Sequence, residues 1–171
     1  LGRDAAQVLR RIGFRVVGWS ASPKTIEGVE CFSGGDCLAP FLAGTHILVC
    51  LLPLTPRTRH ILDRRLFEAL SRDSPLGGPV LINAGRGGLQ VEADIVSCLD
   101  DGTLHAATLD VFETEPLPAD SPLWSHPRVV VTPHNAADTD PDAISAYVVE
   151  QIARFEASAS LQNVVDLGRG Y

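Results

Sequence analysis

The sequence predicts an α/β fold built on a doubly wound, mostly parallel sheet, and three observations predict it. Short apolar runs rich in β-branched residues alternate along the chain with segments whose apolar residues recur at helical spacing. One run, residues 46–52 (HILVCLL), is apolar without interruption, the pattern of a strand covered on both faces in a parallel sheet. Turns rich in Gly, Pro, Ser and Asp separate these segments, and strands alternating with helices imply βαβ units with right-handed crossovers.

Taken in order, Ala5, Val8, Leu9 and Ile12 share one face of a helix over residues 4–12, and Gly13 stops it. Residues 14–19 (FRVVGW) read as a strand, followed by the polar loop Ser20-Ala21-Ser22-Pro23-Lys24. Asp36 is placed to cap a short helix through Leu42, which leads into the strand 46–52. A helix is expected over 63–70, a strand over 79–84 (PVLINA), and a helix over 92–99 that Asp101-Gly102 ends. Strands follow at 105–111 (HAATLDV) and 128–132 (RVVVT), then a long helix over about 141–157. No repeat and no low-complexity linker interrupts the pattern, and residues 164–171 are too polar and glycine-rich to assign.

At 171 residues the chain reads as one domain, and 45% hydrophobic with 20% charged residues is the composition of a folded globular protein rather than a disordered one. The 14 Lys+Arg against 21 Asp+Glu give a net charge of -7, which argues against a nucleic acid or an anionic membrane as partner, since both need a basic face. A small anion is still compatible, because a few local cations outweigh a mildly negative average. Of the four cysteines, Cys31, Cys37, Cys50 and Cys98, none forms a C-x-x-C pair, and Cys50 and Cys98 sit inside apolar runs. They read as small hydrophobes in a reducing, cytoplasmic setting rather than as disulfides or metal ligands. No stretch approaches the ~20 apolar residues of a membrane-spanning helix. The opening Leu1-Gly2-Arg3-Asp4 is not a secretory signal, and a chain without methionine reads as a fragment of a longer protein.

In a doubly wound sheet ligands bind beyond the carboxyl ends of the strands, so each strand exit is a candidate for chemistry. After PVLINA comes Gly85-Arg86-Gly87-Gly88; after HAATLDV comes Phe112-Glu113-Thr114-Glu115-Pro116; after RVVVT comes Pro133-His134-Asn135; after HILVCLL comes Pro53-Leu54-Thr55-Pro56. If the strands are parallel, Arg86, Asp110, Glu115 and His134 emerge on one edge. A cation, two acids and an imidazole converging there mark a site rather than a scatter of polar residues. His46, His60, His105 and His126 lack comparable company, and His126 reads as structural.

The segments INAGRGG (82–88), TLDVFETEPLP (108–118), PLWSHPRVVVTPH (122–134) and LLPLTPRT (51–58), in that spacing, resemble the D-isomer-specific 2-hydroxyacid dehydrogenase family. The run Leu123 to Pro127 and the closing Gly168-Arg169-Gly170-Tyr171 are similar to its glyoxylate/hydroxypyruvate reductase branch. The resemblance implies an NAD(P)-binding Rossmann domain over residues 1–160, lacking its first strand, and a tail over 161–171 that returns to an N-terminal substrate domain outside this chain. It implies a reductase of a small 2-keto acid such as glyoxylate or hydroxypyruvate, working as a homodimer through the cofactor domain.

The resemblance also implies roles. Arg86 is the carboxylate-gripping arginine, preceded here by Gly85 where the family has Ala or Ser. His134 is the acid–base histidine, and Glu115, chosen over Glu113 because Pro116 follows it, is its carboxylate partner. Gly2, Trp19, Ser20, Ala21, Lys24, Leu52, Pro53, Thr55, Ala84 and Asp110 are expected to border the cofactor, with Asp110 on the nicotinamide amide. NAD-preferring sites place an acid at the end of the second strand, whereas here Ser20 to Lys24 carries hydroxyls and an ammonium and no acid precedes Glu27. NADP is therefore expected over NAD. The family's corepressor relatives supply a second reading, a non-catalytic, nucleotide-dependent dimerisation module. A 3-hydroxyacid dehydrogenase would need a catalytic helix lysine, and the one lysine is Lys24.

Overall fold

The computed structural model describes residues 1–137 and 139–168. Six strands and five α-helices alternate along it: α1 (Gly2–Arg11), β1 (Val17–Ser20), β2 (Glu30–Ser33), α2 (Leu38–Ala43), β3 (Ile47–Cys50), α3 (Arg64–Glu68), β4 (Val80–Asn83), α4 (Glu92–Asp100), β5 (Ala106–Leu109), β6 (Val129–Val131) and α5 (Pro141–Glu156). All strand pairing is parallel, as the alternation predicts, but it is divided between a two-stranded sheet, β1-β2, and a four-stranded sheet, β3-β4-β5-β6. Among the described residues no strand pairs with the second edge of β1 or of β3.

Local chemistry sets several boundaries. The Asp63 carboxylate accepts from the Leu66 amide at 2.9 Å and starts α3. Asp140 accepts from the amides of Asp142 and Ala143 with Pro141 in the first turn, and so starts α5. Gly102, at φ 81°, turns the chain out of α4 into β5. The core lies between the helices and the four-stranded sheet, where Leu81, Leu89, Ile95, Cys98, Leu99, Leu104 and Leu109 are wholly buried. Cys50 and Cys98 pack there as small hydrophobes, and burial raises both thiols above their ordinary range.

Four expectations are corrected. Residues 14–16 pair with nothing, so the first strand is Val17–Ser20. The strand β2 (ECFS) was not expected from a segment with little apolar content; pairing with β1 makes it one. Asp36 lies within a 3-10 turn over Gly35–Cys37, and the residue before α2 is Cys37, without a side-chain cap. The run 46–52 is not covered on both faces: Leu48 and Cys50 are buried, whereas Ile47 and Val49 are 37% and 38% exposed. In α5 no residue is buried, and Ile144, Val148, Ile152 and Phe155 stay exposed. After it, Ser160, Gln162 and Asn163 bond back to Arg154, Gln151 and Tyr147 of that helix. Residues 169–171 of the closing motif lie outside the described residues. No helix among the described residues is long and apolar enough to cross a membrane.

Candidate active site

The parallel register aligns Cys50 with Asn83, Asn83 with Leu109, and Leu109 with Val131, so the strand exits of the larger sheet share one edge. There the segments 51–55, 84–88, 110–115 and 132–135 lie side by side, as the strand-exit argument requires.

The turn after β4 carries Arg86. The buried Asn83 carboxamide accepts from the Gly85 amide at 3.0 Å and donates to the Arg86 carbonyl at 3.3 Å, which folds the turn. Gly87 is a geometric necessity: a Cβ there would stand 1.7 Å from the Phe112 carbonyl oxygen. The Arg86 side chain is exposed; its guanidinium donates to the Gly85 carbonyl, and among the described residues it has no carboxylate partner. A guanidinium whose planar fork has no internal anion is a ready receptor for an external carboxylate.

The loop after β5 carries Asp110 and Glu115. Asp110 is 4% exposed, and its carboxylate accepts from the Thr132 hydroxyl at 2.5 Å and from the amides of Asn135 and Ala136 at 3.0 Å each. Burial alone would raise this carboxyl; the hydroxyl and the two amides outweigh it and hold Asp110 below the ordinary aspartate range. These bonds bracket His134, whose backbone is left-handed at φ 53°. Its Nδ1 lies 2.8 Å from Glu115 Oε2, and the other oxygen of Glu115 accepts from the Phe112 amide at 3.0 Å. The bond to His134, then that amide, hold the Glu115 carboxyl below its ordinary range. Glu113 is turned away: it accepts from the Glu92 amide, and Glu92 accepts from the Glu113 amide in return.

Arg86, Asp110, Glu115 and His134 thus stand at one edge, and Leu52, Pro53, Thr55 and Ala84 lie on the adjoining exits. Thr55 is buried, its hydroxyl engaged with Thr58, which also donates to the Pro53 carbonyl. Ala84 donates to the Cys50 carbonyl. Trp19, Ser20, Ala21 and Lys24 belong to the other sheet's edge: Trp19 Nε1 donates to the Gly34 carbonyl at 2.9 Å, the Ser20 hydroxyl to the Ser22 carbonyl at 2.7 Å, and Ala21 and Lys24 are exposed. Gly2 opens α1. His126 lies 3.4 Å from Asp100 and accepts from the Arg128 amide, closing its own turn.

Several residues that organise the site were missed. Arg3 and Arg10 of α1 reach the carbonyls of Thr25 and Glu27, which brings guanidinium charge beside the Lys24 loop. Gln90, wholly buried, bonds Asn83 on one side and the Val111 carbonyl on the other. Its only signal in the sequence is an amide side chain between Leu89 and Val91, where a core residue would be apolar.

Comparison with known proteins places this architecture. The chain is 47% identical over all 171 residues to glyoxylate/hydroxypyruvate reductase A of Serratia proteamaculans. It is 55% identical, with a TM-score of 0.97, to the NADPH-dependent glyoxylate/hydroxypyruvate reductase of Sinorhizobium meliloti, solved with NADP and sulfate. A probable 2-hydroxyacid dehydrogenase of Rhizobium etli, solved with NADP, HEPES and tartaric acid, matches at 55% identity and a TM-score of 0.94. The whole chain is covered in each case, yet it spans only about half the length of these relatives, 53%, 54% and 54%. Residues 1–136 match the family described as the NAD binding domain of D-isomer specific 2-hydroxyacid dehydrogenases. Sheet, strand-exit chemistry and this match agree, and the chain belongs to the D-isomer specific 2-hydroxyacid dehydrogenases, of which it carries the NAD-binding domain.

Proposed function

We propose that this chain is the cofactor domain, residues 1–160 with a tail at 161–171, of a reductase that converts a small 2-keto acid, glyoxylate or hydroxypyruvate, to the 2-hydroxy acid using NADPH. The observation that carries this reading is the 2.8 Å His134–Glu115 pair on the same sheet edge as an Arg86 that no carboxylate of the described residues neutralises.

The residues fit a phosphorylated dinucleotide. Loop 20–24 offers hydroxyls and the Lys24 ammonium with no carboxylate, and Arg3 and Arg10 donate to the carbonyls of Thr25 and Glu27 just beyond it. An acid there would repel a 2′-phosphate and accept ribose hydroxyls instead. Gly2, Trp19, Ser20, Ala21 and Lys24 would border the adenosine half, and Leu52, Pro53, Thr55, Ala84 and Asp110 the remainder. The bound nucleotide supplies the hydride. Arg86 grips the substrate carboxylate through its planar fork and polarises the neighbouring keto oxygen. His134, as imidazolium, gives its proton to the oxygen as negative charge develops there. Glu115 fixes the orientation of the imidazole through Nδ1, leaving Nε2 for the substrate. In the reverse direction the neutral imidazole takes the proton back. The same reading proposes a cytoplasmic homodimer formed through the cofactor domain.

The test is the initial rate of nucleotide oxidation by the full-length protein, with glyoxylate and hydroxypyruvate offered against NADPH and NADH. Turnover with NADPH well above NADH is expected, and Ser20→Asp should move the preference ratio toward NADH by about tenfold, the effect of ~1.4 kcal/mol. A preference for NADH in the unmutated protein rejects the reading of loop 20–24. Absence of turnover with both acids rejects the substrate assignment.

A further inference from the structure

We propose that Gln90 is a positioning residue of the active site, the central link of a head-to-tail chain of amides that runs from the Arg86 turn to Glu115. The chain can be followed bond by bond. The Gly85 amide donates to Asn83 Oδ1 at 3.0 Å, and Asn83 Nδ2 donates to Gln90 Oε1 at 2.8 Å. Gln90 Nε2 donates to the Val111 carbonyl at 3.0 Å. That carbonyl belongs to the same peptide unit as the Phe112 amide, which donates to Glu115 Oε1 at 3.0 Å, and Glu115 Oε2 meets His134 Nδ1 at 2.8 Å. The turn bearing Arg86, the acid and the imidazole are thereby joined through one line of bonds, buried from Gly85 to Val111.

The direction of the line matters as much as its continuity. Each amide accepts at its oxygen and donates from its nitrogen toward Glu115, so the dipoles align and each bond strengthens the next donor. The line delivers its donor end to a carboxylate, the charge such an alignment favours. Reversing the Gln90 carboxamide would oppose two carbonyl oxygens at Val111 and two amino groups at Asn83, so the environment selects one orientation. Asn83 and Gln90 are both 0% exposed, which leaves no water to replace a lost partner. A packing role alone would be met by an apolar side chain between Leu89 and Val91. Two amides in line, ending on the peptide that holds Glu115, answer a different requirement.

The proposal rests on the reductase reading for the purpose of the chain, and its test separates the two. In the full-length protein, Gln90→Met keeps the length of the side chain and removes both bonds, while Gln90→Glu keeps its shape and removes the donor to Val111. The Glu115 carboxyl is followed by carbon-13 NMR without substrate, assigned by its loss in Glu115→Gln, beside kcat, KM, NADPH binding and Tm. In both variants Glu115 is expected to titrate about 0.5 pH higher, because the Phe112 donor is weakened. The kcat should fall about tenfold with NADPH affinity unchanged, because the acid–base pair is displaced while the nucleotide contacts are kept. A lowered Tm with Glu115 titration and kcat unchanged overturns the proposal and leaves Gln90 a packing residue. If Gln90→Met does not fold, Gln90→Glu decides by the same titration. An unmutated protein that reduces neither keto acid rejects the reductase reading, and the titration still decides the role of Gln90.

Discussion

His134 combines two demands that a single residue rarely meets: a left-handed backbone at φ 53° and an imidazole aimed at Glu115. The left-handed conformation costs roughly 1–2 kcal/mol for a residue with a Cβ. Asp110 offsets it, because its two oxygens bind the amides of Asn135 and Ala136 and the Thr132 hydroxyl on either side of the histidine. The residue assigned from resemblance to the nicotinamide is thus also the anchor of the loop that carries His134. His134→Ala removes the proposed proton donor without touching loop 20–24. It should lower kcat by about 10²–10⁴ while NADPH still binds, which stopped-flow turnover beside fluorescence titration of the nucleotide checks.

At the scale of elements, the turn after β4 and the loop after β5 behave as one piece. Gly87 has no room for a Cβ against the Phe112 backbone, and Glu92 and Glu113 exchange carboxylate-to-amide bonds between the start of α4 and that loop. A methyl group at residue 87 must therefore push backbone rather than a flexible side chain. Gly87→Ala is expected to destabilise the protein by about 3 kcal/mol and to displace Arg86 relative to Glu115. Urea unfolding reads the first effect, and a rise in KM for the keto acid reads the second. At Gly85 the crowding is milder: a Cβ there would meet Leu89 Cδ1 at 2.8 Å and the Leu52 carbonyl oxygen at 3.0 Å.

At the scale of the whole molecule, three carboxyls among the described residues are held below their ordinary ranges. Asp101 is lowered to about 2 by Thr103 and then by Arg64; the causes at Asp110 and Glu115 are given above. As pH falls, the unfolded chain binds protons at these groups before the folded one does, so their contribution is present above about pH 4 and is lost below it. The urea midpoint at pH 3 should fall below that at pH 6. A midpoint that rises at pH 3 would contradict the sign of all three.

How much of this could be read in advance differs by kind. Helices such as 92–99 and strands such as 79–84 were legible because their burial pattern is local. The strand exits were legible because parallel pairing puts them on one edge whatever the exact register. Strand β2 was not legible, since Glu30–Ser33 becomes a strand only by pairing with β1. Nor was the open face of β3, because an apolar run does not state which of its sides finds a partner.

The sequence by itself determined the fold class, the four residues at the sheet edge and the acid-free loop after β1, because periodicity, residue chemistry and chain order are local properties. Only the tertiary structure decided that Asp110 braces the histidine loop and that Gln90 joins the Arg86 turn to Glu115. Those are hydrogen bonds between segments about 20 residues apart or more at their longest reach, and such partners are chosen by packing, which no local pattern encodes.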